Sequence, residues 1–268
     1  MRKVRRRMPG ESDRTRQVRE AQEPLLHRRR LDIEETQGTL ISDSLDAILT
    51  AINDIEKTRR QLQEYLRKNP KFQHSLKPVP PTQDAPQIAV RMAEAAYKAN
   101  VGPMATVAGA LIDLAFEQMK EAGAKTAIIE NGGEVVATSP RPVYAGIWAG
   151  PSPISGKIAL KLSRFPVAVA TSSASVSHAF TFGSADAATI VADNASLADA
   201  AATAVCNAVQ GVDVEGSVRE GLSTAEKIEG VKAAIVIRGR YIGSTGDVPE
   251  MVAVRGDISP TVRAAVYL

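Results

Sequence analysis

Helix-period and strand-period stretches follow one another along these 268 residues without a regular strand–helix–strand rhythm. That mixture predicts a single α+β domain, with a mixed or antiparallel sheet layered with helices. Two hairpin signals support it. Asn131-Gly132-Gly133 lies between two apolar runs, and KAAIVIRGRYIGS near the end reads as another hairpin; tight turns of this kind join antiparallel strands. The third observation is one long amphipathic stretch, from Asp43 to Lys68, whose apolar stripe needs a sheet to cover.

The chain opens on a charged arm. Residues 1 to 30 hold 11 Lys or Arg against 4 Asp or Glu, so the remainder of the chain is slightly acidic although the whole carries +3. Residues 1–24 are therefore expected to be a basic, flexible arm, and 25–268 the folded domain. Arg30 to Ser42 alternates apolar and polar residues around Gln37-Gly38, which predicts a hairpin turning there. In the long helix, Leu45, Ile48, Leu49, Ile52, Ile55, Leu62, Tyr65 and Leu66 recur at three- and four-residue spacing until Asn69-Pro70. Pro78, Pro80, Pro81 and Pro86 mark an extended connection. A helix over 86–99, capped by Asp84, and a third over 104–121, closed by Gly123, follow. Strands are expected at Ala145–Trp148, Lys157–Leu162, Val167–Ala170 and Ala187–Ala192, with a polar loop from Thr171 to His178 and an alanine-rich helix over 196–209.

Composition excludes several function classes. No apolar run approaches the roughly 18 residues of a membrane helix, and the start lacks the apolar core of a secretion signal. A lone cysteine, Cys206, excludes an internal disulfide and a cysteine zinc site, which points to the reducing cytoplasm. Aromatics are 4% of the chain, too few for base-stacking platforms, so nucleic acid is disfavoured beyond salt-sensitive contact through the arm. GPSPISGKIA fails as a phosphate-binding P-loop: five residues, not four, separate Gly150 from Gly156, and Ile158 stands where a metal-binding hydroxyl belongs. His27, His74 and His178 are too scattered for a histidine metal cluster, and neither HExxH nor GxSxG occurs.

Three constellations remain. Asp199 and Thr203, four residues apart, leave one face of a helix about one turn apart, a pairing of carboxylate and hydroxyl that suits Mg²⁺ but equally describes an ordinary helix surface. Cys206 continues nearly the same face, either beside that site or as a small core residue. Asn131-Gly132-Gly133-Glu134 is a tight turn, or a place where a phosphate approaches main-chain N–H groups closely. The loop TSSASVSH presents Ser173, Ser175 and Ser177 beside His178, a set that hydrogen-bonds anions or simply connects strands.

Taken in order, GPMATVAGALIDLAFEQMKEAGAKTAIIENGGEVVAT and ATSSASVSHAFTFGSADAATIVADNASLADAAATAV resemble the ApbE-like superfamily of Mg²⁺-dependent FAD:protein FMN transferases. The resemblance implies an ApbE-like single domain, Asp199 and Thr203 as Mg²⁺ ligands, and Asn131, Gly132, Gly133, Glu134, Ser173, Ser175, Ser177 and His178 around FAD or FMN. The transferases continue their Ser-His pair into an Asp-Pro turn, whereas this chain reads Ser177-His178-Ala179-Phe180-Thr181-Phe182-Gly183, which puts flavin transfer in doubt. The closer resemblance, over about residues 25 to 260, is to an uncharacterised branch common in methanogens and sulfate reducers. That branch implies an alternative role: an accessory protein of reductive sulfur assimilation or electron transfer, beside a ferredoxin-domain protein, binding a small anionic ligand without flavin transfer. Either role implies a small-molecule or nucleotide ligand and no membrane; a homo-oligomer stays open.

Overall fold

The computed structural model describes residues 25–175, 181–254 and 266–267. The basic arm, Ser177 and His178 lie outside the described residues. The architecture is α+β, as the irregular patterning predicts. An eight-stranded antiparallel sheet has the order β1-β2-β3-β4-β7-β8-β9-β10, and a four-stranded one the order β11-β6-β5-β12.

The first hairpin pairs β1 (His27–Ile33) with β2 (Thr36–Ser42) through Glu34-Glu35. The turn expected at Gln37-Gly38 is not there. Gly38 lies inside β2 opposite Asn131, and a Cβ on it would sit 1.8 Å from the Glu130 carbonyl oxygen, so the glycine serves a close strand contact. Glu34 takes the left-handed conformation instead, at φ 53°. Helix α1 (Leu45–Lys68) starts at Ser44, whose hydroxyl accepts the Ala47 N–H at 3.2 Å, and the short α2 (Pro70–His74) follows.

Asp84 does not cap α3 (Gln87–Ala99): Pro86 occupies the cap position and no side chain bonds the first turn. A 3-10 turn, Pro103–Thr106, leads into α4 (Val107–Glu121), after which Gly123 adopts φ 85°. The Asn131-Gly132-Gly133-Glu134 hairpin joins β3 (Ala127–Asn131) to β4 (Glu134–Thr138), with Gly132 at φ 71° and Gly133 at φ 149°. Strand β5 is Val143–Gly146, so Trp148, expected within it, stands in the connection to β6 (Ile158–Leu162). Then come β7 (Val167–Ser172), β8 (Ala187–Ala192), α5 (Ala195–Ala208), α6 (Val214–Glu226), β9 (Val231–Arg238), β10 (Tyr241–Gly246), β11 (Glu250–Ala253) and β12 (Val266–Tyr267).

Two cores flank the large sheet. Alternation along β3 sends Ile129 into a helix-side core with Ile48, Ile112, Ala198 and Val205, while Ile128 joins Val143, Leu160, Val169 and Ile235 in a core shared with the smaller sheet. Alanines on both α5 and the strands beneath it, such as Ala201, Ala168 and Ala188, are fully buried. Small side chains there let α5 lie close to β7 and β8, which fixes where its polar face emerges.

Candidate functional site

The contact between α4 and α5 is the foundation of the site. Asp113, buried on α4, accepts N–H bonds from Ala195 at 2.7 Å and Ser196 at 2.8 Å, and also the Ser196 hydroxyl. Asn194 accepts the Leu197 N–H at 2.9 Å. The first turn of α5 is thus capped from its own chain neighbour and from α4. One turn earlier on α4, Gly109 donates its N–H to Asp199 Oδ2 at 2.9 Å. A Cβ on Gly109 would meet the Ala195 carbonyl oxygen at 2.3 Å and Asp199 Cβ at 2.9 Å, so glycine is what permits this approach. Asp199 is therefore held by backbone geometry.

Asp199 and Thr203 open into a cavity of about 330 Å³. Asn131, Gly132, Gly133 and Glu134 line it from the β3–β4 hairpin, Thr171 and Ser173 from the end of β7. Glu35, Thr36 and Arg59 line it from the first hairpin and α1, and Trp148 from the β5–β6 connection. Seven residues singled out in the sequence thus share one cavity. Ser175 is not among its lining residues; its hydroxyl stands 3.2 Å from Ser173 Oγ and 3.4 Å from an Asp186 carboxylate oxygen. Cys206 is fully buried in the helix-side core, with its thiol pushed up by burial.

Not every main-chain donor of the Gly-Gly turn faces the cavity unpaired. Gly132 donates to Glu130 Oε1 at 3.1 Å, and Glu130 is buried on the other face of β3, where desolvation pushes its pKa to about 7. Gly133 would bring a Cβ within 3.3 Å of the Thr171 carbonyl oxygen, so the turn also packs against β7.

Charge in the cavity is predominantly negative. Burial raises Asp199 to about 7, against the Gly109 N–H, which favours its charged form; the nearby Asp113 carboxylate adds to the rise. Burial also holds Glu134 well above the usual carboxylate range, with the Asp199 charge as the second cause. Two carboxylates whose negative charges oppose each other, beside a Thr hydroxyl, form a hard oxygen set that a divalent cation would relieve. No three His, Cys, Asp or Glu side chains converge as a metal site among the described residues. A cation at Asp199 and Thr203 would thus need water or ligand oxygens to complete its shell, which suits Mg²⁺ and disfavours zinc.

Sequence reasoning missed Arg59, Glu35 and Trp148. Arg59 lies more than 20 residues from its partners, and only the pairing of α1 with the first hairpin brings them together. The acid pair Glu34-Glu35 was the one local signal.

A helix layer over an antiparallel sheet, with a second sheet behind and a cleft at the α4–α5 contact, defines an ApbE-like protein. The fold is similar to that of the Pseudomonas stutzeri flavinyl transferase ApbE, with TM-score 0.54 at 15% identity over 82% of this chain and 94% of that one. The Thermotoga maritima ApbE protein gives TM-score 0.51 at 15% identity, covering 83% and 97%. A family model described as "AbpE bacteria" matches residues 28–230. The chain belongs to that family and, within it, to the UPF0280 proteins. It is 39% identical over 230 residues to the UPF0280 protein of Methanopyrus kandleri, covering 85% of this chain and 93% of that one. To the UPF0280 protein of Methanosphaerula palustris it is 40% identical over 245 residues, covering 90% and 99%. No single helix among the described residues is long and apolar enough to cross a membrane.

Proposed function

We propose that the cleft binds a flavin nucleotide together with Mg²⁺, the cation held by Asp199 and Thr203 and the nucleotide lying along the Gly-Gly turn and Ser173. The observation that carries this reading is the charge of the cavity: Glu35, Glu134 and Asp199 line it against Arg59, so a diphosphate enters favourably only with a cation. The cation supplies the positive charge that neutralises the diphosphate and polarises its phosphorus. The chain supplies position. Gly109 fixes Asp199, Gly133 leaves room for a main-chain approach, and Trp148 offers an aromatic surface.

Where the protein acts as an enzyme, the supported reaction is FMN transfer: an acceptor hydroxyl would bond to the flavin-side phosphorus while the phosphoanhydride breaks, AMP leaves and the hydroxyl proton passes to solvent. That requires no nucleophile from this chain. One observation favours ligand binding without transfer. The described end, Thr181 to Gly183, of the segment Ser177 to Gly183 that departs from the transferases docks on the end of α5, where Asn207 Oδ1 accepts from both the Thr181 hydroxyl and the Phe182 N–H at 2.8 Å. In this second reading the protein is an accessory of cytoplasmic sulfur or electron-transfer metabolism beside a ferredoxin-domain partner.

Equilibrium dialysis against FAD tests the reading. FAD should be retained with Mg²⁺ and lost with EDTA, and Asp199→Ala should abolish the Mg²⁺ effect while leaving the circular dichroism spectrum intact. Equal retention in all three conditions would overturn the cation assignment. An acceptor peptide labelled with covalent FMN then separates transfer from binding alone.

A further inference from the structure

Arg59 is the cavity's one cationic lining residue among those described, and its guanidinium is only partly satisfied. Its side chain is 12% exposed. Nη1 donates to the Thr36 hydroxyl, and Nη2 to the carboxylates of Glu34 and Glu35. Nε is buried and has no hydrogen-bond partner among the described residues. A buried donor left unpaired is costly, so the unpaired Nε needs an explanation.

The two glutamates differ. Glu34, at φ 53°, also accepts from Gln63 Nε2 at 3.0 Å, so two residues of α1 hold it. Glu35 is 85% exposed, and its carboxylate lines the cavity beside Arg59. The Glu35 side of the pair stands in solvent, so leaving the guanidinium costs that carboxylate little and another anion can take its place. A phosphate has two oxygens at the spacing of the Nε and Nη2 donors, whereas Glu34 and Glu35 each place one oxygen on Nη2 and neither reaches Nε.

We propose that Arg59 is a phosphate-binding residue of the cleft and that Glu35 is its tethered stand-in, displaced when a nucleotide phosphate engages the Nε and Nη2 edge. The assignment rests on the reading of the cleft as a nucleotide site and names a contact that lies on α1, away from the α5 residues assigned to the cation. It gives the cavity two anion-holding devices of different chemistry, one a cation on carboxylates and one a guanidinium.

Because Trp148 is the chain's one tryptophan and lines the cavity, its fluorescence reports occupancy directly. Full-length protein is titrated with FAD and, separately, with inorganic pyrophosphate, each with Mg²⁺. Glu35→Gln removes the competing charge at an exposed position and should tighten binding about fivefold. Arg59→Lys keeps the charge but loses the planar edge, and should weaken it about tenfold or more. An Arg59 that only staples the hairpin to α1 predicts no tightening in Glu35→Gln, and unchanged or weaker binding there overturns the proposal. Mg²⁺-dependent FAD binding insensitive to Glu35→Gln removes the Arg59 assignment and leaves the flavin reading intact. Tightened pyrophosphate binding without FAD binding removes the flavin reading and keeps Arg59. No response to either probe in any variant removes both.

Discussion

The Gly109 N–H holds Asp199, and the missing Cβ of this glycine admits the Ala195 carbonyl. Gly109→Ala should push α4 and α5 apart, costing about 1–3 kcal/mol of stability as overpacking in a close contact does. The effect on the proposed cation site is separable from that loss: if Asp199 holds Mg²⁺, the affinity measured by calorimetry, at a temperature where the variant is fully folded, should fall at least tenfold. Unchanged affinity would mean that the Asp199 carboxylate is oriented by something other than this bond. The sequence set Asp199 and Thr203 on one helix face, and only the family resemblance singled that pair out; it could not reveal Gly109, because a glycine inside a helix of small residues gives no hint of what crosses it.

At the scale of elements, α4 and α5 behave as one unit because Asp113 caps a helix to which it does not belong. Asp113→Ala leaves the Ala195 and Ser196 N–H groups and the Ser196 hydroxyl without their acceptor. Losing a buried charged acceptor and a cap should destabilise the fold by about 2–4 kcal/mol. A chemical-denaturation midpoint measured beside that of Asn194→Ala checks this; a smaller loss for Asp113→Ala than for Asn194→Ala would reverse their ranks. Long helices and the Gly-Gly hairpin were readable because periodicity and turn chemistry are local. The register of α4 on α5, the position of the first turn and the existence of α6 were not. Gly38 misled because a glycine beside a polar residue reads as a turn, while its use here is a contact with β3, more than 90 residues on, that only the folded sheet brings about.

For the whole molecule, several buried or half-buried carboxylates are held toward their neutral forms, and stability should respond to pH accordingly. Glu130 illustrates the sign. Its folded pKa is about 7 against an ordinary 4.5, so between these values the folded chain keeps a proton that the unfolded chain has released. The contribution of Glu130 to stability is fully present below about 4.5, falls as pH rises toward 7, and is lost above; Asp199, Glu134 and Asp113 are shifted in the same direction. Glu130→Gln keeps an oxygen for the Gly132 N–H while removing the charge. The variant should match the parent near pH 4.5 and exceed it at pH 8, by up to about 3 kcal/mol. Thermal melts across that range decide it, since a difference independent of pH would show that Glu130 does not ionise as its burial requires.

Among the described residues the large sheet ends on one side at β1, whose Arg28, Arg29 and Arg30 are all exposed. An edge strand offers the free side of its main chain to any neighbour, and in a concentrated solution the commonest neighbour is a second copy. Three successive guanidinium groups meeting three more make that encounter repulsive at the point where backbones would have to close to hydrogen-bonding distance. The guard is electrostatic and so depends on the medium: it is strong in dilute buffer and weakens as ionic strength brings the screening length to about 3 Å near 1 M salt. Strand β10, at the opposite margin, exposes Tyr241 and Ile242 instead. The two margins of one sheet thus set different conditions for aggregation, and crowding or high salt relaxes only the first.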